Sequence, residues 1–119
     1  MNKIQIKNKD NNKVIFEYEC EDNTIKKTVE KAVEKGISLR RANLRYVDLS
    51  DADLNDAVLK FADLSFTNLV NANLRFADLH SANLEFSNLC CADLSFTDLR
   101  HTKLKNIQLY NANMYNTQF

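Results

Sequence analysis

Hydrophobic and polar positions recur along residues 37–119 with a period of five. Leu stands at 39, 44, 49, 54, 59, 64, 69, 74, 79, 84, 89, 94, 99, 104 and 109 without a break, and Met114 and Phe119 take the next two slots. Two residues before each slot sits a small or β-branched residue: nine Ala, four Thr, one Ser, one Val and two Ile across 17 slots. The residue directly before the slot is Asp or Asn in 12 of the 17. Neither standard element accepts this period. On an α-helix a step of five rotates a side chain by about 140°, so the leucines would spiral round the axis. On a flat strand an odd step sends successive leucines to opposite faces.

Leucines that must all be buried together therefore need a chain that turns at every unit. A turn of about a quarter circle per unit aims every Leu, and the small residue two before it, at one axis. Four units then close one coil. Stacked coils pair their backbones at roughly 4.8 Å, and each buries its core only against its neighbours. Large Leu alternating with small Ala suits close packing of a narrow interior. The Asp or Asn between them points outward, where its short side chain can hydrogen-bond local backbone at a corner. That capacity matters because the chain has one Gly and no Pro.

Residues 1–36 follow a different pattern. Ile4 and Ile6 alternate with polar residues, as do Val14, Phe16, Tyr18 and Cys20, around the polar turn Asn8–Asn12. Residues 3–20 therefore read as a β-hairpin. Residues 24–35 read as an α-helix, with Asp22 or Asn23 as its cap and Gly36 at its stop. Ile25, Val29, Ala32 and Val33 form its apolar stripe, and Lys26, Lys27, Glu30, Lys31, Glu34 and Lys35 its polar face. The first coil of a solenoid must be covered, so hairpin and helix are expected to cap it. The expected organisation is a cap over residues 1–36 and a solenoid over 37–119, in a single domain.

Units such as Ala52-Asp53-Leu54-Asn55-Asp56, Ala62-Asp63-Leu64-Ser65-Phe66, Ala72-Asn73-Leu74-Arg75-Phe76 and Ala92-Asp93-Leu94-Ser95-Phe96 make the chain resemble the pentapeptide-repeat family. The resemblance implies an all-β solenoid, a right-handed quadrilateral β-helix, here of about four coils. Some members of the family act as DNA mimics that bind type II topoisomerases such as gyrase and alter quinolone sensitivity, through a strongly acidic rod. Residues 37–119 carry nine acidic and eight basic residues, so that surface charge is missing. Four and a quarter coils also make a rod only ~20 Å long, or ~40 Å for an end-to-end dimer.

Charge and cysteine usage narrow the class. There are 16 basic and 16 acidic residues and a net charge of zero. No apolar run approaches the roughly 18 residues of a membrane span, and Met1–Lys7 has no apolar signal core. Cys20, Cys90 and Cys91 form neither a metal-spaced set nor a disulfide framework. The expectation is a cytoplasmic protein with reduced thiols and no membrane association.

Outer positions sort into columns one coil apart. The second residue after Leu gives Tyr46, Phe66, Phe86 and Asn106; then Asp56, Phe76, Phe96 and Asn116; then Arg41, Phe61, Ser81 and His101. Aromatics one coil apart can stack as ladders or form an apolar strip for a protein partner. The first residue after Leu gives a basic column, Arg40, Lys60, His80 and Arg100, with Asp78 and Asp98 on the same face. That column suits a solvated face of mixed charge or a stripe for an acidic partner. Nucleic acid is not an expected partner. His80 and His101 share no column and have no third ligand, so no metal is expected. No catalytic set or cofactor motif stands out, and the repeat itself accounts for the many Asp residues. The expected role is a non-enzymatic scaffold or interaction module for a protein partner, dimerising through its C-terminal coil. Tyr110, Met114, Tyr115 and Phe119 there suit an interface.

Overall fold

Backbone pairing along the repeat region joins each unit to the fourth unit after it. In the computed structural model, which describes residues 1–119, parallel bridges join Asn43 to Asp63, Asp48 to Asn68, Asp53 to Asn73, and so on to Asp98 and Gln118. Each Leu N–H up to Leu99 donates to the carbonyl of the residue before the Leu one coil on: Leu54 to Asn73 at 2.8 Å, Leu74 to Asp93 at 2.8 Å. In return, Asp63 N–H donates to Ala42 O at 2.9 Å and Asn83 N–H to Ala62 O at 2.9 Å. The β-helical solenoid expected from the period is the architecture observed.

The interior is two kinds of column. Every Leu from Leu39 to Leu94 is fully buried, as are Ala42, Ala52, Ala62, Ala72, Ala82 and Ala92 in the small slots. Polar residues in the small slots need partners there, and the chain supplies them. Thr67 Oγ1 donates to Leu64 O at 2.7 Å, Ser87 Oγ to Leu84 O at 2.6 Å, and Thr97 Oγ1 to Leu74 O at 2.6 Å. No buried side-chain nitrogen or oxygen is left unpartnered, so these hydroxyls avoid the desolvation penalty of an orphaned group.

The corners explain how the chain turns without Gly or Pro. At each unit the N–H of the next small residue returns to the Leu carbonyl, as Ala52 does to Leu49 at 3.1 Å and Ala72 to Leu69 at 3.0 Å. The residue two after Leu takes positive φ at every corner from Arg41 (63°) to Asn116 (53°). An i to i+3 hydrogen bond with positive φ at the third residue is the sign pattern of a type II turn. The Asp or Asn before Leu braces the corner by accepting from the backbone N–H two residues on. Examples are Asp48 from Ser50 at 3.0 Å, Asn73 from Arg75 at 3.1 Å and Asp98 from Arg100 at 3.0 Å. Corner stitching thus falls to the Asp or Asn before Leu, while the left-handed conformation falls to a different residue, often Phe.

The N-terminal segment consists of strand β1 (Asn2–Lys7), strand β2 (Val14–Cys20) and helix α1 (Ile25–Glu34). The strands pair antiparallel, with Ile4 opposite Tyr18 and Ile6 opposite Phe16. Thr24, rather than Asp22 or Asn23, caps α1, its hydroxyl accepting from Lys27 N–H at 3.0 Å. Asn23 instead turns inward: its Nδ2 donates to Tyr18 O at 2.9 Å, and its Oδ1 accepts from the Thr28 hydroxyl at 3.2 Å. Gly36 ends the helix at φ 69°, with Gly36 N–H to Val33 O at 3.0 Å and Ile37 N–H to Ala32 O at 2.9 Å. These paired bonds form a Schellman motif, whose left-handed residue favours Gly. Val29 and Ala32 of α1 and Ile6 of β1 join the solenoid leucines in one buried cluster. Lys26 and Glu30, read from sequence as water-facing, reach the coil instead: Lys26 Nζ donates to Ser50 O at 2.8 Å, and Glu30 Oε2 accepts from Asp53 N–H at 2.8 Å. The chain meets the first coil again where Lys9 N–H donates to Arg41 O and Asn43 N–H to Lys7 O, both at 2.8 Å.

Candidate interaction surface

With the interior filled, every available side chain stands on a corner or on the outer side between corners. The left-handed residue of each turn projects beside its equivalent one coil away. Tyr46, Phe66 and Phe86 therefore form a continuous ladder, with ring centroids 4.8 and 4.9 Å apart and planes within 15°. On the opposite corner, two units away, Phe76 stacks on Phe96 at 4.9 Å, and Tyr115 meets Phe96 edge-on at 5.6 Å. Each ladder carries an arginine. Arg45 lies over Tyr46 at 5.4 Å and Arg75 over Phe76 at 5.6 Å, and both also approach carboxylates, Asp63 at 3.7 Å and Asp93 at 3.8 Å. The ring edges remain open to solvent, with Phe76 49% and Phe86 44% exposed. Aromatics and arginine are the residue types enriched at interface hot spots.

The basic column is not a row of free cations. Arg40 and Arg41 both lie over the Phe61 ring, at 4.6 and 4.8 Å, and Arg41 is also paired with Asp10 at 3.0 Å. The Asp10 carboxyl is held below its ordinary value by that hydrogen bond from Arg41. Arg100 grips Asp98 through two bonds, Nε at 3.0 Å and Nη2 at 2.8 Å. Those bonds lower Asp98 to about 2. His80 lies edge-on to Phe61 at 6.2 Å. Lys60 is half-buried and makes no side-chain ion pair within 4.0 Å. Of the four column residues, Arg100 is neutralised locally and Arg40 is laid over an aromatic ring.

The last coil differs from those before it. Leu104 and Leu109 are only half-buried, while Tyr110 is 76%, Tyr115 66%, Phe119 66% and Met114 40% exposed. Within this chain the N–H groups of Leu104, Leu109 and Met114 and the carbonyls of Thr102, Ile107, Ala112 and Thr117 make no backbone hydrogen bond. Their equivalents one coil earlier all do. A recess of about 540 Å³ beside this coil is lined by Phe76, Phe96, Asn116, Thr117 and Gln118. A second recess, about 500 Å³, lies between α1 and the coil that follows, lined by Glu30, Val33, Glu34, Asp53, Asn55 and Asp56. Sequence reasoning missed that acidic recess, because its two walls come from separate stretches of the chain. Cys90 is half-buried and Cys91 exposed, and both are free thiols.

Fold and surface together define a β-helical solenoid whose variable chemistry lies on its outer corners. Pentapeptide repeats match residues 35–60, 57–95 and 92–119 in eight copies, and the chain belongs to the pentapeptide-repeat family. Among solved structures it is similar to HetL, a pentapeptide repeat protein involved in heterocyst differentiation regulation in the cyanobacterium Nostoc sp. strain PCC 7120. That similarity has a TM-score of 0.67 and 31% identity, over 68% of this chain and 38% of HetL. It is also similar to a pentapeptide repeat protein of the Arabidopsis thaliana thylakoid lumen, with a TM-score of 0.63 and 29% identity over 69% of this chain and 56% of that one. Another pentapeptide repeat protein of Nostoc gives 0.59 and 27% over 77% and 93%. The chain thus spans less than two thirds of the length of the first two. No protein of curated function matches it by sequence. No helix is long and apolar enough to cross a membrane.

Proposed function

We propose that this protein is a non-enzymatic scaffold that works by presenting its corners to another protein, and that it dimerises through its C-terminal coil. The observation that carries this reading is the last coil, where Tyr110, Met114, Tyr115 and Phe119 are exposed beside unpaired backbone groups. Open strand edges invite pairing with another chain, and aromatics with Met are favoured in interface cores. A two-fold contact uses the same patch on both copies and closes after one step. The Phe76–Phe96–Tyr115 ladder runs into this face and extends its apolar surface. In this reading the coil is right-handed, as the family resemblance implies, and the hairpin and α1 serve as its N-terminal cap. Free thiols at Cys20, Cys90 and Cys91 fit a reducing, cytoplasmic setting.

Light scattering tests the reading directly. The dimer is expected near 27 kDa, twice the 13.7 kDa chain. Tyr115→Glu with Phe119→Glu should return it to a monomer that keeps its melting temperature measured at low concentration. A monomer at tens of micromolar would reject the dimer, and so would a dimer indifferent to the two charges.

A further inference from the structure

His80 and His101 stand in different columns of the repeat, one directly after a Leu and the other two after. The fold nevertheless brings their rings together, with centroids 5.1 Å apart and planes at 66°. His80 is the first corner residue after Leu79, and His101 is the second corner residue one coil on. The two positions share a corner, so a diagonal step joins them. His80 is half-buried and His101 exposed.

We infer that this pair is a surface site for one divalent transition-metal ion of the Zn²⁺, Ni²⁺ or Cu²⁺ type, held by one imidazole nitrogen from each of two adjacent coils. Neutral imidazole is a favoured ligand for these ions. With a metal–nitrogen distance of about 2.0–2.1 Å, each ring centroid lies roughly 3.2 Å from the ion. Two rings meeting the ion at a near-tetrahedral angle then have centroids about 5 Å apart, the separation observed. His80 is already oriented, since its Nδ1 lies 3.0 Å from Ser81 Oγ. The ligating tautomer is the one whose Nδ1–H donates to that hydroxyl oxygen, leaving the Nε2 lone pair for the ion. Partners of this kind fix ring orientation at metal-binding histidines.

The surrounding charges define what sort of site this is. Asp98 is committed to Arg100, and Asp78 accepts from the His80 backbone N–H at 3.1 Å. No group of three or more His, Cys, Asp or Glu side chains is placed to hold an ion together. Water completes the coordination, so the site is a two-point chelate that exchanges its ion rather than a closed structural centre. Because its two ligands belong to neighbouring coils, a bound ion ties those coils and stabilises the folded chain.

Calorimetric titration of the reduced full-length chain with NiCl₂ and ZnCl₂, paired with thermal unfolding, tests the inference. One saturable site is expected, with a rise in melting temperature on adding metal. His80→Asn and His101→Asn should each weaken binding about tenfold or more, since each leaves a single ligand, and should abolish the thermal shift. Cys90→Ser with Cys91→Ser should change neither. In the unsubstituted chain, substoichiometric Ni²⁺ should perturb the ring-proton resonances of both histidines together, a readout that depends on no variant folding. Absence of saturable binding below about 1 mM, perturbation of only one histidine, or loss of binding only in the cysteine variant would overturn the site.

Discussion

A phenylalanine in the left-handed region is the residue-scale peculiarity of this protein. Phe61, Phe66, Phe76, Phe86 and Phe96 all have φ between 59° and 63°, which disfavours an L side chain by about 1–2 kcal/mol. For Phe66, Phe76, Phe86 and Phe96, stacking on the neighbouring coil opposes that strain, at roughly 0.5–1.5 kcal/mol per ring pair. Asp51 occupies the same conformation at φ 61° with an exposed side chain that makes no hydrogen bond or ion pair. Glycine relieves the strain at either site, but only Phe66 loses two stacked neighbours. Asp51→Gly is therefore expected to be neutral or to stabilise by up to about 1 kcal/mol, and Phe66→Gly to destabilise by about 1–3 kcal/mol, measured by chemical denaturation. Equal effects would remove the ladder as a stabilising device.

Asp98 supplies the residue-scale prediction for pH. Its carboxyl sits at about 2, against an ordinary 3.8, chiefly because Arg100 hydrogen-bonds the charged form. A group lowered on folding binds fewer protons in the native state, so its stabilisation is full above about pH 4 and disappears as pH falls towards 2. Asp98→Asn should therefore lower the melting temperature at pH 7 and flatten its fall between pH 4 and 2. A parent and variant whose melting curves stay parallel over that window would show that the Arg100 pair adds nothing to stability.

At the scale of elements, the hairpin and α1 pack against the first coil. Leu39, Ala42 and Leu44 are fully buried in a cluster that includes Val29, Ala32 and Ile6. Deleting residues 1–36 exposes that end of the Leu column and frees the carbonyls of Arg41 and Ser50 from Lys9 and Lys26. The expected outcome is aggregation or unfolding at room temperature, followed by light scattering and circular dichroism. A soluble remainder with an unchanged melting temperature would make hairpin and helix an appendage. The helix was legible through its stripe and Gly36, yet the choice of Thr24 as cap was not. Asp22 or Asn23 is the cap read from sequence, and the adjacent Thr24 is also of a type that caps helices. Asn23 was removed from that competition by tertiary bonds to Tyr18 and Thr28.

Over the whole molecule, stability is expected to vary along the axis, because each coil contacts only its neighbours. Leu74 is fully buried with coils on both sides, whereas Leu109 is half-buried in the last coil. Leu74→Ala should cost about 2–5 kcal/mol and Leu109→Ala less than about half as much, read from denaturation midpoints. Equal losses would mean that the last coil is packed as tightly as the middle ones.

The solenoid was legible in the amino-acid order alone. A period of five is compatible with burying all the leucines only if the chain turns once per unit, and the Asp or Asn that stands before most of the leucines holds that turn with a bond to the second residue on. Both are local requirements, so they are written locally. The surface chemistry was legible only in part. Columns one coil apart were legible as a repeat of four units, and the aromatic ladders lie in them. Diagonal and cross-element neighbours were not. Arg40 and Arg41 meet on Phe61, Asp10 of the hairpin loop reaches Arg41, and His80 meets His101. Each depends on how far a side chain reaches across a corner and on which carboxylate is closer. Side-chain reach and three-dimensional proximity leave no period in the sequence.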